Sequence, residues 1–165
     1  MLNVEIPGFR TLQLDQLVLD FNGTLARDGR LLDGVAPRIK ALAGTLAIHV
    51  VTGDTHGSAR TQLQGLPVNL TVLDPEHQAE AKRAHVQSLG ADRCACIGNG
   101  RNDRLMLQEA ALGVAVTGAE GTAVEALTAA HLFVPHIHDA LDLLRMPRRL
   151  VATLRAEPSH RGFRE

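Results

Sequence analysis

The chain has 165 residues, of which 45% are hydrophobic and 21% charged, and this composition is typical of a folded globular protein. Its formal net charge is −1, and it contains four Phe but no Trp or Tyr. The chain therefore has no net positive charge to attract a polyanion and few aromatic platforms for stacking bases, so we expect no nucleic-acid partner.

No segment approaches 18 uninterrupted apolar residues, so we expect no membrane span. The first residues, Met1 to Gly8, lack the basic flank and the long apolar core of a signal peptide. Cys94 and Cys96 stand two apart in a predicted strand, where they would share one face and could not form an unstrained disulfide with each other. We expect reduced core cysteines in a cytoplasmic protein; the alternative is a two-ligand metal site.

Strand and helix patterns alternate along the chain. A hairpin is predicted over residues 3–14 and a buried strand over Leu17–Phe21. The further strands are predicted at 46–51, 68–73, 93–97, 113–116 and 131–134, and the helices at 35–42, 58–63, 76–89, 103–111, 121–130 and 139–154. This order predicts an α/β fold, a doubly wound Rossmann-like parallel sheet, as a single domain over residues 1–156. Residues 157–165 are predicted to be a disordered polar tail.

Polar clusters follow the predicted strands. The first strand delivers Asp20 and then breaks into Asn22-Gly23-Thr24, and the second is followed by Thr52-Gly53-Asp54. A later strand is followed by the run from Gly98 to Asp103. Because the carboxyl ends of parallel strands lie on one edge of the sheet, we expect these groups to converge there.

Such a set suits phosphoryl transfer. Asp20 would attack phosphorus and form an aspartyl phosphate. The candidate phosphate-binding residues are Thr52, Gly53, Lys82 and Asn102, with Lys82 offsetting the developing negative charge. Asp20 and Asp103 are candidate ligands of Mg²⁺, which uses few protein carboxylates and keeps several waters.

The run Asp20-Phe21-Asn22-Gly23-Thr24-Leu25 resembles the first motif of the haloacid dehalogenase (HAD) superfamily. Thr52, Lys82 and the segment 98–103 resemble its second, third and fourth motifs, in the right order. Within that superfamily, Thr52-Gly53-Asp54 and the Gly-x-Gly-x-Asn-Asp run are similar to the phosphorylation domain of P-type ATPases. The resemblance covers about residues 15–135.

The resemblance implies that Asp20 is the nucleophile and a magnesium ligand, that the Asn22 carbonyl is a second ligand, and that Thr52 and Lys82 hold phosphate. It also implies a HAD-like fold without a cap domain, because the segments between the motifs are short. An open site of this kind fits a phosphorylated small molecule, a phosphorylated macromolecule, or a second copy of the chain acting as a roof.

Two amides stand where the family carries carboxylates. Asn22 replaces the acid/base Asp, and an amide cannot transfer a proton at neutral pH, so hydrolysis of the phosphoenzyme is expected to be slow. Asn99 replaces the principal magnesium-binding Asp, so Asn99 and Asp103 are expected to hold the metal weakly.

The sequence predicts a magnesium-dependent phosphatase or phosphotransferase with Asp20, Asn22, Thr52 and Lys82 as its catalytic residues. The main alternative is a pseudoenzyme that binds phosphate or a phosphorylated partner without turnover. A receiver domain of a phosphorelay ranks third, because such domains carry the acceptor Asp on a later strand.

Overall fold

The computed structural model describes residues 1–54 and 57–156; the tail predicted at 157–165 lies outside them. The strands are β1 (Leu2–Ile6), β2 (Arg10–Leu14), β3 (Gln16–Leu19), β4 (Ala26–Arg27), β5 (Arg30–Leu31), β6 (Ala47–Thr52), β7 (Asn69–Val72), β8 (Cys94–Gly98), β9 (Leu112–Val116) and β10 (Leu132–Val134). The helices are α1 (Val35–Leu42), α2 (Ser58–Gln62), α3 (Gln78–Ser88), α4 (Arg104–Glu109), α5 (Val124–Ala129), α6 (Ile137–Arg145) and α7 (Arg148–Leu154).

Six of the strands form a parallel sheet in the order β10-β9-β8-β3-β6-β7. β3, β6, β8 and β9 are almost completely buried, as expected for a parallel sheet covered on both faces. The predicted α/β architecture and the N-terminal hairpin, β1 with β2, are confirmed.

The two faces of the sheet have separate cores. Residues of β3 such as Leu17 and Leu19 pack with α1, α6, α7 and the hairpin, whereas Val18 packs with α3, α4 and α5. Cys94 and Cys96 share the second face, and both are buried free thiols, as predicted. No helix of the described residues is long and apolar enough to cross a membrane.

The sequence prediction was wrong in two places. The helix predicted over 139–154 is two helices, α6 and α7, which are separated at Met146 and Pro147. Met146 has φ −127° and ψ 69°, since a residue before proline is pushed out of the helical region. The segment between β3 and α1 also contains the small hairpin β4–β5, which the prediction lacked.

Candidate active site

Asp20 lies at the centre of the carboxyl edge of the sheet. Leu19 of β3 is level with Val50 of β6 on one side and with Ile97 of β8 on the other. The backbone N–H of Asp20 donates to the Ile97 carbonyl over 3.1 Å. The side chain of Asp20 is only 9% exposed, and it lines the floor of a cleft of about 270 Å³.

Lys82 lies directly beneath Asp20. Its Nζ donates to Asp20 Oδ1 over 2.6 Å and to Asp103 Oδ1 over 2.5 Å, and the lysine side chain is fully buried. The other oxygen of Asp103, Oδ2, accepts the backbone N–H groups of Asn99 at 3.0 Å and Gly100 at 2.8 Å. Asp103 thus binds the lysine and the loop after β8 at the same time.

One ammonium therefore serves two buried carboxylates. Burial, followed by repulsion from Asp103, raises the pKa of Asp20 from its ordinary value of 3.8 to about 7, although Lys82 acts in the opposite direction. Burial alone would lower the pKa of Lys82, but attraction to Asp20 and Asp103 raises it. The site therefore holds Lys82 as a cation and gives Asp20 a pKa near neutrality.

The predicted site residues meet at this edge of the sheet. Six of them, Asp20, Asn22, Thr52, Gly53, Asn99 and Asn102, line the cleft, while Lys82 and Asp103 lie below its floor. Thr52 is buried at the end of β6, and Asn22 is exposed at the rim. The chemical roles assigned to these residues stay predictions.

Asp103 does not line the cleft. It is completely buried, and both of its carboxylate oxygens already accept hydrogen bonds within the protein. This arrangement fits a residue that positions Lys82 and the loop after β8 better than it fits a direct metal ligand. We therefore do not include Asp103 among the metal ligands that we propose.

Asn99 joins three loops. Its Oδ1 accepts the Thr24 hydroxyl over 3.1 Å, and its Nδ2 donates to the Gly121 carbonyl over 3.0 Å. The Asn99 carbonyl accepts the Ala123 N–H over 2.8 Å. Gly23 passes beneath this amide at φ +81°, and a Cβ there would lie 2.5 Å from Asn99 Nδ2, so both the backbone conformation and the space require glycine.

Two residues of the cleft were missed by the sequence reasoning. Gln78, in the first turn of α3, accepts from Asn102 Nδ2 over 2.9 Å and packs against the Gly53 backbone. It stands four residues before Lys82, a spacing that places both on one helix face. Glu120 follows β9, whose strand end had not been included among the polar clusters.

A second cavity, of about 300 Å³, adjoins the cleft and shares Glu120 with it. Its lining is mainly apolar and includes residues of the β4–β5 segment together with His136 and His138. His138 Nε2 lies 2.7 Å from the Asp33 carbonyl.

Among residues 1–54 and 57–156, no group of three or more His, Cys, Asp or Glu side chains could hold a metal ion. A cation in the cleft would therefore need amide, backbone and water oxygens as well.

Comparison by sequence gives a short match. No protein-family model matches the chain. A stretch of 59 residues, 36% of this chain, is 48% identical to an uncharacterised protein of Methanocaldococcus jannaschii. The match covers 63% of the length of that relative.

Comparison by structure matches most of the chain. A protein of Legionella pneumophila described as a HAD superfamily (subfamily III A) hydrolase has a TM-score of 0.69 and 17% identity, over 85% of this chain and 86% of that one. The 3-deoxy-D-manno-octulosonate 8-phosphate phosphatase of Moraxella catarrhalis, solved with magnesium and phosphate ions, has a TM-score of 0.69 and 13% identity, over 85% and 90%. The cobalt-bound deoxy-D-mannose-octulosonate 8-phosphate phosphatase of Haemophilus influenzae has a TM-score of 0.68 and 15% identity, over 87% and 94%. The chain therefore has the fold of the HAD superfamily hydrolases.

Proposed function

We propose that the protein is a phosphatase or phosphotransferase that forms an aspartyl phosphate on Asp20. The observation that carries the proposal is the contact of Asp20 with a fully buried Lys82 at the floor of an open cleft. A buried lysine that pairs with a carboxylate at a strand end is placed to offset the charge of a phosphoryl group attached to that carboxylate. The HAD-like fold supports the same reaction class.

Each residue of the cleft has a different role in the proposed reaction. A carboxylate oxygen of Asp20 attacks phosphorus, and the bond from phosphorus to the leaving group breaks as the new bond forms. Thr52 and the backbone at Gly53 would hold the phosphoryl oxygens, and Asn102, which is hydrogen-bonded to Gln78, lines the same cleft. Before the reaction Lys82 is a cation, because attraction to Asp20 and Asp103 outweighs burial and raises its pKa.

The donor set fits a hard divalent cation. Asp20, Asn22 and Asn99 bring carboxylate, carbonyl and amide oxygens to one cleft, and oxygens are the ligands that Mg²⁺ takes in proteins. We assign these three residues to a Mg²⁺ site. When bound, the cation would neutralise negative charge on the phosphoryl group.

The second half-reaction is expected to be slow. Hydrolysis needs a base for the attacking water, and the amide of Asn22 cannot accept that proton.

The cleft also adjoins an apolar cavity of about 300 Å³, at the low end of the size of small-molecule sites. We therefore favour a phosphorylated small molecule as the substrate, with its organic part next to this cavity.

The test uses acetyl phosphate with Mg²⁺ and follows intact mass and phosphate release. The carboxylate of Asp20 would take the phosphoryl group and release acetate. A persistent mass increase of one phosphoryl group that is absent in Asp20→Asn would confirm a stable phosphoenzyme, and steady phosphate release would indicate a working phosphatase. If neither appears at high Mg²⁺, the enzymatic proposal fails, and the amides at 22 and 99 then favour a non-catalytic phosphate-binding protein.

A further inference from the structure

The loop between β9 and α5 brings a carboxylate to the cleft that the HAD-like motifs do not include. Glu120 lines the cleft together with Asp20 and Asn22. A Cβ placed on Gly23 would lie 2.8 Å from Glu120 Oε2 and 2.8 Å from Asn99 Oδ1. The Glu120 carboxylate and the Asn99 amide therefore lie next to each other, and both approach the backbone at Gly23.

Asn99 itself holds this loop in place. Its Nδ2 donates to the carbonyl of Gly121, the residue after Glu120, and its carbonyl accepts from Ala123. An aspartate at 99 would have no side-chain N–H for the Gly121 carbonyl and would place two acceptors against each other. The Asn99 amide, which stands where the HAD-like motif carries a carboxylate, thus holds the loop of Glu120 at the cleft.

The other carboxylates near the cleft have protein partners. Asp20 accepts from Lys82, and both oxygens of Asp103 accept hydrogen bonds from the protein. Within the part of the chain that the structure describes, no Lys, Arg or His side chain forms an ion pair with Glu120, which is exposed to solvent. Its negative charge is therefore available to a cation that enters the cleft.

We propose that Glu120 supplies the carboxylate of the divalent-cation site, in place of the one lost at Asn99, and that Asn99 is its positioning residue. The proposal rests on the metal site assigned under the proposed function. The carboxylate of the metal site then lies on the loop after β9 and not on the loop after β8, so the cation meets the same number of acidic oxygens.

The test measures metal binding without substrate. Full-length metal-free protein is titrated with Mn²⁺ and the free ion is counted by electron paramagnetic resonance, with Mg²⁺ competition as a second readout. Glu120→Gln should weaken Mn²⁺ binding about tenfold or more, the range found when groups that support a metal site are removed. Glu5→Gln, which makes the same change on the exposed face of β1, should leave binding unchanged.

A rescue variant tests whether Glu120 takes the place of the carboxylate missing at position 99. If Glu120 replaces the carboxylate missing at 99, adding Asn99→Asp to Glu120→Gln should restore most of the lost affinity. Equal Mn²⁺ affinity in wild type and Glu120→Gln, or no binding by the wild type at millimolar Mn²⁺, would overturn the proposal.

The two proposals fail separately. Glu120-dependent Mn²⁺ binding without any phosphoenzyme would leave the metal site standing and remove the enzymatic function. A phosphoenzyme on Asp20 with unchanged Mn²⁺ affinity in Glu120→Gln would do the reverse.

Discussion

The Nζ of Lys82 lies 2.6 Å from Asp20 Oδ1, and the lysine has no contact with solvent. This side chain reaches the floor of the cleft from α3, and the aspartate reaches it from the end of β3. The same ammonium also binds Asp103, so a single positive charge is shared by a fully buried carboxylate and by one at the floor of the cleft. Stability and reactivity are therefore coupled at this point of the molecule.

Replacing Lys82 should destabilise the protein in a pH-dependent way. Lys82→Met keeps the aliphatic stem but leaves two buried carboxylates facing each other, and breaking a buried pair typically costs ~3–5 kcal/mol. We expect a loss of this size at pH 8 and a smaller loss at pH 5, where Asp20 takes up a proton. Urea unfolding at both pH values measures it. Lys40, the other lysine of the chain, is exposed on α1, and Lys40→Met is the control. A loss that is the same at both pH values would assign the effect to packing.

Asp20→Asn should stabilise the metal-free protein at pH 8 and have little effect near pH 5. The folded pKa of Asp20, about 7, lies above its ordinary value of 3.8. Between these values the folded state holds the proton that the unfolded state has lost, so the free energy of unfolding of the wild type falls as pH rises. The asparagine variant lacks this dependence. Thermal unfolding from pH 4 to pH 8 checks it; parallel curves for the two proteins would contradict the raised pKa.

Asn22→Asp should speed hydrolysis of the phosphoenzyme. Asn22 is exposed at the rim of the cleft, so a carboxylate can be placed there without burying a charge. General acid–base catalysis contributes ~10²–10⁴-fold in rate, and an acceleration toward that range is expected. The decay of the mass-labelled protein after removal of acetyl phosphate gives the rate. Asn3→Asp, the same change on exposed β1, serves as control. An unchanged decay would show that Asn22 does not limit hydrolysis.

Gly113→Ala should destabilise the fold because α4 packs against the backbone of β9. A Cβ at Gly113 would lie 2.2 Å from the Leu107 carbonyl oxygen, and extra atoms in a well-packed core typically cost ~1–3 kcal/mol. Gly44→Ala is the matched change, since a Cβ there meets no atom within 4 Å, and it should cost nothing. The urea midpoints of the two variants test the difference; equal midpoints would mean that α4 can shift without cost.

The alternation of strands and helices and the meeting of the predicted residues followed from local signals, whereas the order of the strands in the sheet was not predicted. Buried apolar segments that end in Asp20, Thr52 and the 98–103 run alternate with helical segments and so predict parallel strands, which bring their carboxyl ends to one edge. The pattern could not predict how deeply each of these side chains is buried. Whether Asp103 faces the cleft or lies under Lys82 depends on packing between α3 and α4, which no single segment encodes.

The missed elements had signals of different strength. Asp28-Gly29, with φ 50° and 74°, is a strong two-residue hairpin turn, and it marks the β4–β5 hairpin in the sequence. Pro147 could equally have been interpreted as a helix break. Glu120 had a weaker signal, because an exposed acid after a strand is common and its approach to the cleft depends on the hydrogen bond from Asn99 to Gly121.

The central place of β3 in the sheet has a consequence for amide hydrogen exchange. Its residues pair with strands on both sides, so Leu17–Leu19 should exchange only when the whole domain unfolds. The loops that form the cleft begin at these slowly exchanging strands and should exchange by local opening. A ligand in the cleft should slow amide exchange directly in residues 98–103 and 117–123. It should slow exchange in the core only by raising the global stability. Hydrogen exchange measured by mass spectrometry would therefore locate a ligand before its identity is known.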